Sequence, residues 1–247
     1  MDTLFFTLLG LGVVSSFIGT LAGGGGLITL PAMMLIGIPI QIGIATNKFS
    51  SGIAALTSVS YLLKNKHLST KTIIMNVCIA FTGGISGALI TSHITEKTMN
   101  IIALILLIFA LIITFKNKQW ISSVEGKAKD TTIASNAIPF FIAAYDGGFG
   151  PGSSTFGIIH YMNQNNTYMK AVQLTRVLIF GSCCGAFIVF YHTGFVQWHY
   201  AIAMAFGSAI GSQIGLIALP RVPLKLAKSL LITIIFLLIG QVVFKIT

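Results

Sequence analysis

Two cations sit where cations are costly. Lys48 lies inside the apolar stretch 40–63 and Arg176 inside the apolar stretch 168–191. Each is preceded by small polar residues, in Thr46-Asn47-Lys48 and in Leu174-Thr175-Arg176. Lys48 follows Pro39, which can open a helix at its first position, by nine residues. That places it about 14 Å along the helix axis. Arg176 lies eight residues after Tyr168, at a comparable depth. Ionisable residues at such depth are functional candidates by default. The plainer reading, in which each side chain snorkels to the nearest headgroups, is weakened by two cations at matching positions. Arg176 can donate a two-pronged fork to an oxyanion, whereas Lys48 acts as a point charge. Asp146 is the only acid inside any apolar stretch. Its role stays open between pairing with Arg176 or Lys48, capping a turn, and carrying a coupling proton.

Each cation follows a break in the chain. Gly23, Gly24, Gly25 and Gly26 interrupt the stretch 4–37, and Gly147, Gly148, Gly150 and Gly152 interrupt 133–162. A helix that restarts after a glycine turn aims free N–H groups and a positive dipole end at whatever lies ahead. Leu27 onward and Ser153 onward are such restarts, and Ser153 and Ser154 add hydroxyl donors. Glycine also lets a ligand approach the backbone closely. Two positive helix ends with Lys48 and Arg176 predict an anion pocket lined by the glycines, Thr46, Asn47, Ser153, Ser154 and Thr175, with Asp146 as the coupling candidate. Gln173, Asn76 and Gln213 could line the pocket or bridge helices. A glycine run can also be plain helix packing. Gly83/Gly87, Gly207/Gly211/Gly215 and Gly181/Gly185, at i,i+4 spacing, read that way.

The elements that must hold these residues are membrane helices. The chain of 247 residues is 55% hydrophobic and 8% charged, with mean hydropathy +0.91, against about 25% charge in a soluble domain. The apolar stretches are long and do not alternate, which excludes a membrane β-barrel. They run over 4–37, 40–63, 72–91, 99–115, 133–162, 168–191, 199–219 and 226–246. A span needs about 20 residues. The two glycine-broken stretches each predict two half-helices, as a re-entrant hairpin or as a broken span with an interfacial helix. The amino terminus lacks the positive flank of a signal peptide and is expected to belong to the fold. The net charge of +10 does not signal nucleic acid, because the cations cluster in short loops, as topology signals do. Cys78, Cys183 and Cys184 have no metal-ligand spacing and read as packing residues.

Loop charge favours re-entry of the second broken stretch. With that hairpin leaving on its entry side, Lys64, Lys66, Lys71, Lys116, Lys118, Lys127, Lys129, Lys170, Arg221, Lys225 and Lys228 are all cytoplasmic, and only Lys97 and Lys245 lie outside. For the first stretch the rule is silent. It either re-enters, leaving both termini outside, or spans, putting the amino terminus inside. The sequence Gly83-Gly84-Ile85-Ser86-Gly87 matches Gly207-Ser208-Ala209-Ile210-Gly211. The expected fold is therefore all-α and polytopic, with two inverted repeats, each of one glycine-broken hairpin plus three transmembrane helices. The repeats occupy 1–115 and 133–247, joined by a cytoplasmic linker at 116–132.

Enzyme readings fail on chemistry. Ser153 and Ser154 with His160, His192 and His199 lack a clean G-x-S-x-G, and the glycine run is followed by no Lys-Ser/Thr, so it is no P-loop. No metal site and no cofactor are expected. The chain resembles the TauE/SafE family of sulfite exporters in AGGGGLITLPAMMLIGIP with ATNKFSSG, and in YDGGFGPGSSTFG with AVQLTRV. The resemblance implies a multi-pass carrier of the inner (cytoplasmic) cell membrane that moves sulfite or small organosulfur anions. It implies roles for Gly23–Gly26, Asn47, Lys48, Asp146–Gly152 and Arg176. The expected function is alternating-access transport of a small anion, sulfite or an organosulfonate first. An anion channel and a non-transporting membrane scaffold are the alternatives. The expected partners are the anion, the lipid bilayer and, as an option, a second copy in a homodimer, but no nucleic acid.

Overall fold

The computed structural model describes residues 2–22, 25–64, 68–95, 97–98 and 133–218, with isolated positions at 101, 102, 105, 108, 112, 221, 229 and 233. The apolar stretches 99–115 and 226–246 and the linker 116–132 lie almost wholly outside the described residues. The described residues form helices and no strand. These are α1 (Asp2–Ala22), α2 (Gly25–Leu35), α3 (Ile40–Lys64), α4 (Thr70–Ser92), α5 (Ile133–Gly148), α6 (Ser153–Asn163), α7 (Tyr168–His192) and α8 (Trp198–Ala218). By length and composition α1, α4, α7 and α8 can each cross a membrane. At 25 residues α3 is as long as α7, but its apolar run is diluted by Thr46, Asn47, Lys48, Ser50 and Ser51.

Both glycine breaks separate helices, but the arms are unequal. The break leaves 21 residues to α1, about 31 Å and enough for a full crossing. The expectation of two half-helices therefore fails for α1 alone, since α5, with 16 residues, about 24 Å, is itself short of a crossing. Both α2 and α6 have 11 residues, about 16 Å each. Both stop in the same way. Gly37 takes φ 86° and Asn165 takes φ 62°. The amide of Ile38 donates to Met33 O at 3.0 Å and that of Asn166 to Tyr161 O at 3.3 Å. This left-handed turn with its six-to-one bond is the Schellman way of ending a helix. Two of the long helices start after an extended residue: Ser69 caps α4 and Thr167 caps α7, each accepting a backbone N–H on its hydroxyl.

The helices fall into two quartets in register. α2 and α6 begin 128 residues apart, as do α3 and α7, and α4 and α8. The packing scheme maps onto itself when the quartets are exchanged. Contact of α1 with α8 corresponds to α5 with α4, α3 with α8 to α7 with α4, and α2 with α3 to α6 with α7, while α3 packs on α7 directly. This register moves one expected match by a helical turn: Gly83 and Gly87 correspond to Gly211 and Gly215. A methyl on Gly87 would lie 2.8 Å from the amide of Gly148, and one on Gly215 would lie 2.8 Å from Thr20 Cβ. Residues 148 and 20 are themselves in register. At Gly83, Gly84, Gly181, Gly207 and Gly211 a methyl would likewise strike the backbone of the facing helix. These glycines let helix axes approach closely, where backbone and small side chains supply the contact. Two apolar clusters share the register as well. Leu21, Leu62, Ile158 and Val172 belong to one, and their counterparts Phe149, Phe190, Leu30 and Ile44 belong to the other.

Candidate functional site

The two short helices begin at the same place. A methyl on Gly26, at the start of α2, would lie 3.3 Å from the carbonyl oxygen of Gly150 and 3.5 Å from Pro151 Cα. Pro151 belongs to the turn that precedes α6. In that turn Gly150 has φ 101° and Gly152, the residue before α6, has φ 81°, values that favour glycine. The turn is anchored to α5. The Tyr145 hydroxyl donates to Pro151 O at 2.6 Å, and the Gly150 amide donates to Tyr145 O at 3.2 Å. The α2 start is held from the other side, where Gly19 of α1 and Gly25 touch backbone to backbone.

Three charged side chains converge here, all buried. Lys48 Nζ lies 3.4 Å from Asp146 Oδ1, and among the described residues no hydrogen bond reaches that ammonium. The two oxygens of Asp146 have other partners. Ser153 Oγ lies 2.5 Å from Oδ1 and also 2.7 Å from Gly150 O, and Cys183 Sγ lies 3.7 Å from Oδ2. Arg176 is 7% exposed. Its Nη2 donates to the hydroxyl of Thr20, which in turn donates to Ser16 O at 2.8 Å. Behind Thr20, the hydroxyls of Ser212 and Ser58 are 2.9 Å apart. Among the described residues no carboxylate comes within ion-pair distance of Arg176.

Between these groups is a cavity of about 30 Å³, room for about two water-sized groups. Ser15, Ser16 and Gly19 of α1, Gly25, Gly26 and Thr29 of α2, and Asn47, Ser51 and Ala54 of α3 line it. Asp146, Gly150, Ser153 and Ser154 line it from the second break, with Arg176 and Ile179 from α7 and Ser208 from α8. Its walls are thus hydroxyls, one amide, helix-start backbone and two charges. Lys48 and Asp146 cancel, so Arg176 leaves the site with one net positive charge. A buried uncompensated charge is expensive unless a counter-charge arrives. The two helix starts add partial positive charge of the same sign.

The expected site residues divide into groups. Gly25, Gly26, Asn47, Asp146, Gly150, Ser153, Ser154 and Arg176 line the cavity, Lys48 reaches it through Asp146, and Gly152 sets the turn. Gly147 and Gly148 instead face α4, where methyls would strike Gly84 and Gly87. Thr175 turns away to donate to Ala171 O at 2.8 Å, with its methyl under Gly157. The hydroxyl of Thr46 is buried without a hydrogen-bond partner among the described residues. Gly23 and Gly24 lie outside the described residues. Asn76 bridges helices, accepting from Tyr161 at 2.8 Å. The cavity hydroxyls of Ser15, Ser16, Thr29, Ser51 and Ser208 were not expected. Their signal was spacing: Thr29 lies one turn after Gly25 and Ser51 one turn after Asn47, on the same helix face. No group of His, Cys, Asp or Glu among the described residues is arranged to hold a metal.

Comparison with known proteins agrees with this architecture. The profile of the family described as "Sulfite exporter TauE/SafE" matches residues 8–242. A "Probable membrane transporter protein ORF9" of Sinorhizobium sp is 32% identical, over 90% of this chain and 85% of its own. A "Probable membrane transporter protein" of Haemophilus influenzae is 26% identical, over 94% of this chain and 92% of its own. The "Probable membrane transporter protein YfcA" of Escherichia coli K12 is 26% identical over 87% and 79%. No solved structure gives a significant match. With most of its length matched and its helices apolar enough to span a bilayer, the chain is a multi-pass membrane protein of a transporter family and belongs to the Sulfite exporter TauE/SafE family.

Proposed function

We propose that the protein is a secondary transporter of a small oxyanion, sulfite in the first place, in the inner cell membrane. The observation that carries the reading is Arg176, buried at the meeting of two helix starts with no carboxylate within ion-pair distance among the described residues. Guanidinium, backbone N–H groups and a ring of hydroxyls are the donors an oxyanion needs. The volume of the cavity suits a compact inorganic anion better than an organosulfonate, whose carbon tail would need apolar wall.

Alternating access is supported by the matched quartets. Each glycine break carries one member of a register pair, Leu21 or Phe149, in an apolar cluster of its own. Two equivalent closures around one polar site are what a rocking carrier requires. On this reading the repeats at 1–115 and 133–247 are inverted about a cytoplasmic linker at 116–132. The test is sulfite flux into liposomes containing the purified chain. Saturable flux that disappears in Arg176→Gln is expected. Rapid flux with unitary currents would make the protein a channel, and no flux with intact folding would leave a scaffold.

A further inference from the structure

Resting on the anion reading of the site, we propose that Asp146 matches protons to anion charge: a monovalent anion binds alone, and a divalent anion binds with one proton taken up by Asp146. The cavity holds one net positive charge from Arg176, Lys48 and Asp146. A monoanion brings the sum to zero. A dianion alone would leave a net negative charge in an apolar surround, which is costly. A proton on Asp146 restores zero and releases the Lys48 ammonium from its partner, so that two cations face two negative charges.

The geometry accommodates both protonation states without moving a side chain. With Asp146 ionised, Ser153 donates its one proton to Oδ1 at 2.5 Å. With Asp146 protonated at Oδ1, the carboxyl donates to Ser153 Oγ, and Ser153 donates instead to Gly150 O at 2.7 Å. Neither state leaves a buried hydroxyl unsatisfied. The ammonium of Lys48 is held by its ion pair with Asp146 and by no hydrogen bond among the described residues. It sits against a cavity-lining residue, since a methyl on Gly150 would lie 2.7 Å from Nζ. Asp146 itself lines the cavity, so a proton can reach it from the side on which the anion binds.

The other groups around Asp146 do not duplicate this role. Facing it are Lys48 from α3 and Arg176 and Cys183 from α7. The face of α4 packed on α5 brings Gly83, Gly84 and Gly87. α6 brings Ser153, with His160 about two turns further along. Tyr145, beside Asp146 on α5, is committed to Pro151 O. The register position matching Asp146 is Ile18, so only one of the two buried cations can be released by a proton.

The test uses two anions that do not titrate near neutral pH, chlorate as the monoanion and sulfate as the dianion. Their affinities for the full chain in detergent are measured by isothermal titration calorimetry from mildly acidic to mildly alkaline pH. In the parent protein sulfate affinity should fall by up to about tenfold per pH unit, one proton per anion, while chlorate affinity stays flat. In Asp146→Asn, sulfate affinity should lose its pH dependence. Where the lone Lys48 charge prevents that variant from folding, Lys48→Met/Asp146→Asn keeps neutrality and should bind chlorate but reject sulfate at every pH. Parallel pH profiles for the two anions, an unchanged sulfate profile in Asp146→Asn, or sulfate binding by the double variant would overturn the proton rule alone. Binding of neither anion by the parent or the variants would overturn it too. Undiminished binding of both anions by Arg176→Gln would instead overturn the reading of the site.

Discussion

Replacing Lys48 by Met strands a carboxylate. Asp146 is 4% exposed and Lys48 is 1% exposed, so neither charge can turn to water. At 3.4 Å and an effective dielectric constant of about 20, the attraction is worth about 5 kcal/mol. Loss of one partner of such a pair costs about 3–5 kcal/mol. Ser153 and Cys183 still contact the carboxylate in Lys48→Met, which places the expected loss near the lower end of that range. Asp146→Asn leaves an ammonium with no hydrogen bond among the described residues and should cost at least as much. The double variant Lys48→Met/Asp146→Asn removes both charges and should return to within about 1 kcal/mol of the parent. The assay is reversible unfolding of the full chain in mixed micelles, run at low and high salt. Buried pairs are poorly screened, so the losses should persist in salt. A loss under about 1 kcal/mol in both single variants, typical of exposed pairs, would refute the buried pair. So would a double variant no more stable than the worse single one.

Two further predictions concern the glycines. Gly87→Ala should destabilise by about 1–3 kcal/mol through overpacking, because its methyl would strike the backbone of α5. Gly10→Ala has nothing within 4 Å and should be neutral or stabilising by up to about 1 kcal/mol; equal effects in the same unfolding assay would show that α4 and α5 are not in close contact. Gly150→Ala should cost about 1–3 kcal/mol from its left-handed φ alone. Its methyl would also displace Lys48 Nζ, so sulfite affinity should fall by more than in Gly152→Ala, a difference readable by calorimetry.

Much of the site was legible because its residues are chemically out of place. A lysine, an arginine and an aspartate inside apolar stretches announce themselves, and glycine breaks locate the helix starts. The hydroxyls of Ser15, Ser16, Ser51 and Ser208 did not announce themselves. Serine is ordinary in membrane helices, where it can bond its own backbone, and only packing decides which face turns inward. The match of Gly83 with Gly207 went astray for a related reason. Glycines at i,i+4 spacing superpose almost equally well after a shift of one turn, and the helix starts were needed to choose. Gly147 and Gly148 were grouped with Gly150 by adjacency, but they close α5 against α4 while Gly150 turns the chain into the cavity.

Sequence alone determined the helical membrane class, the two breaks and the three charges. These follow from composition, from glycine's lack of a side chain and from the cost of ionised groups in hydrocarbon, none of which needs a neighbour. The tertiary structure decided what depends on neighbours. It gave α1 a full helix and α2 and α6 half-helices, and it brought the two short helices to a common start. It also paired Asp146 with Lys48 rather than with Arg176, because the long Lys48 side chain reaches the Gly150 turn that follows α5. Arg176 is left as the one net positive charge at the described site, and that residual charge is the property from which anion binding follows.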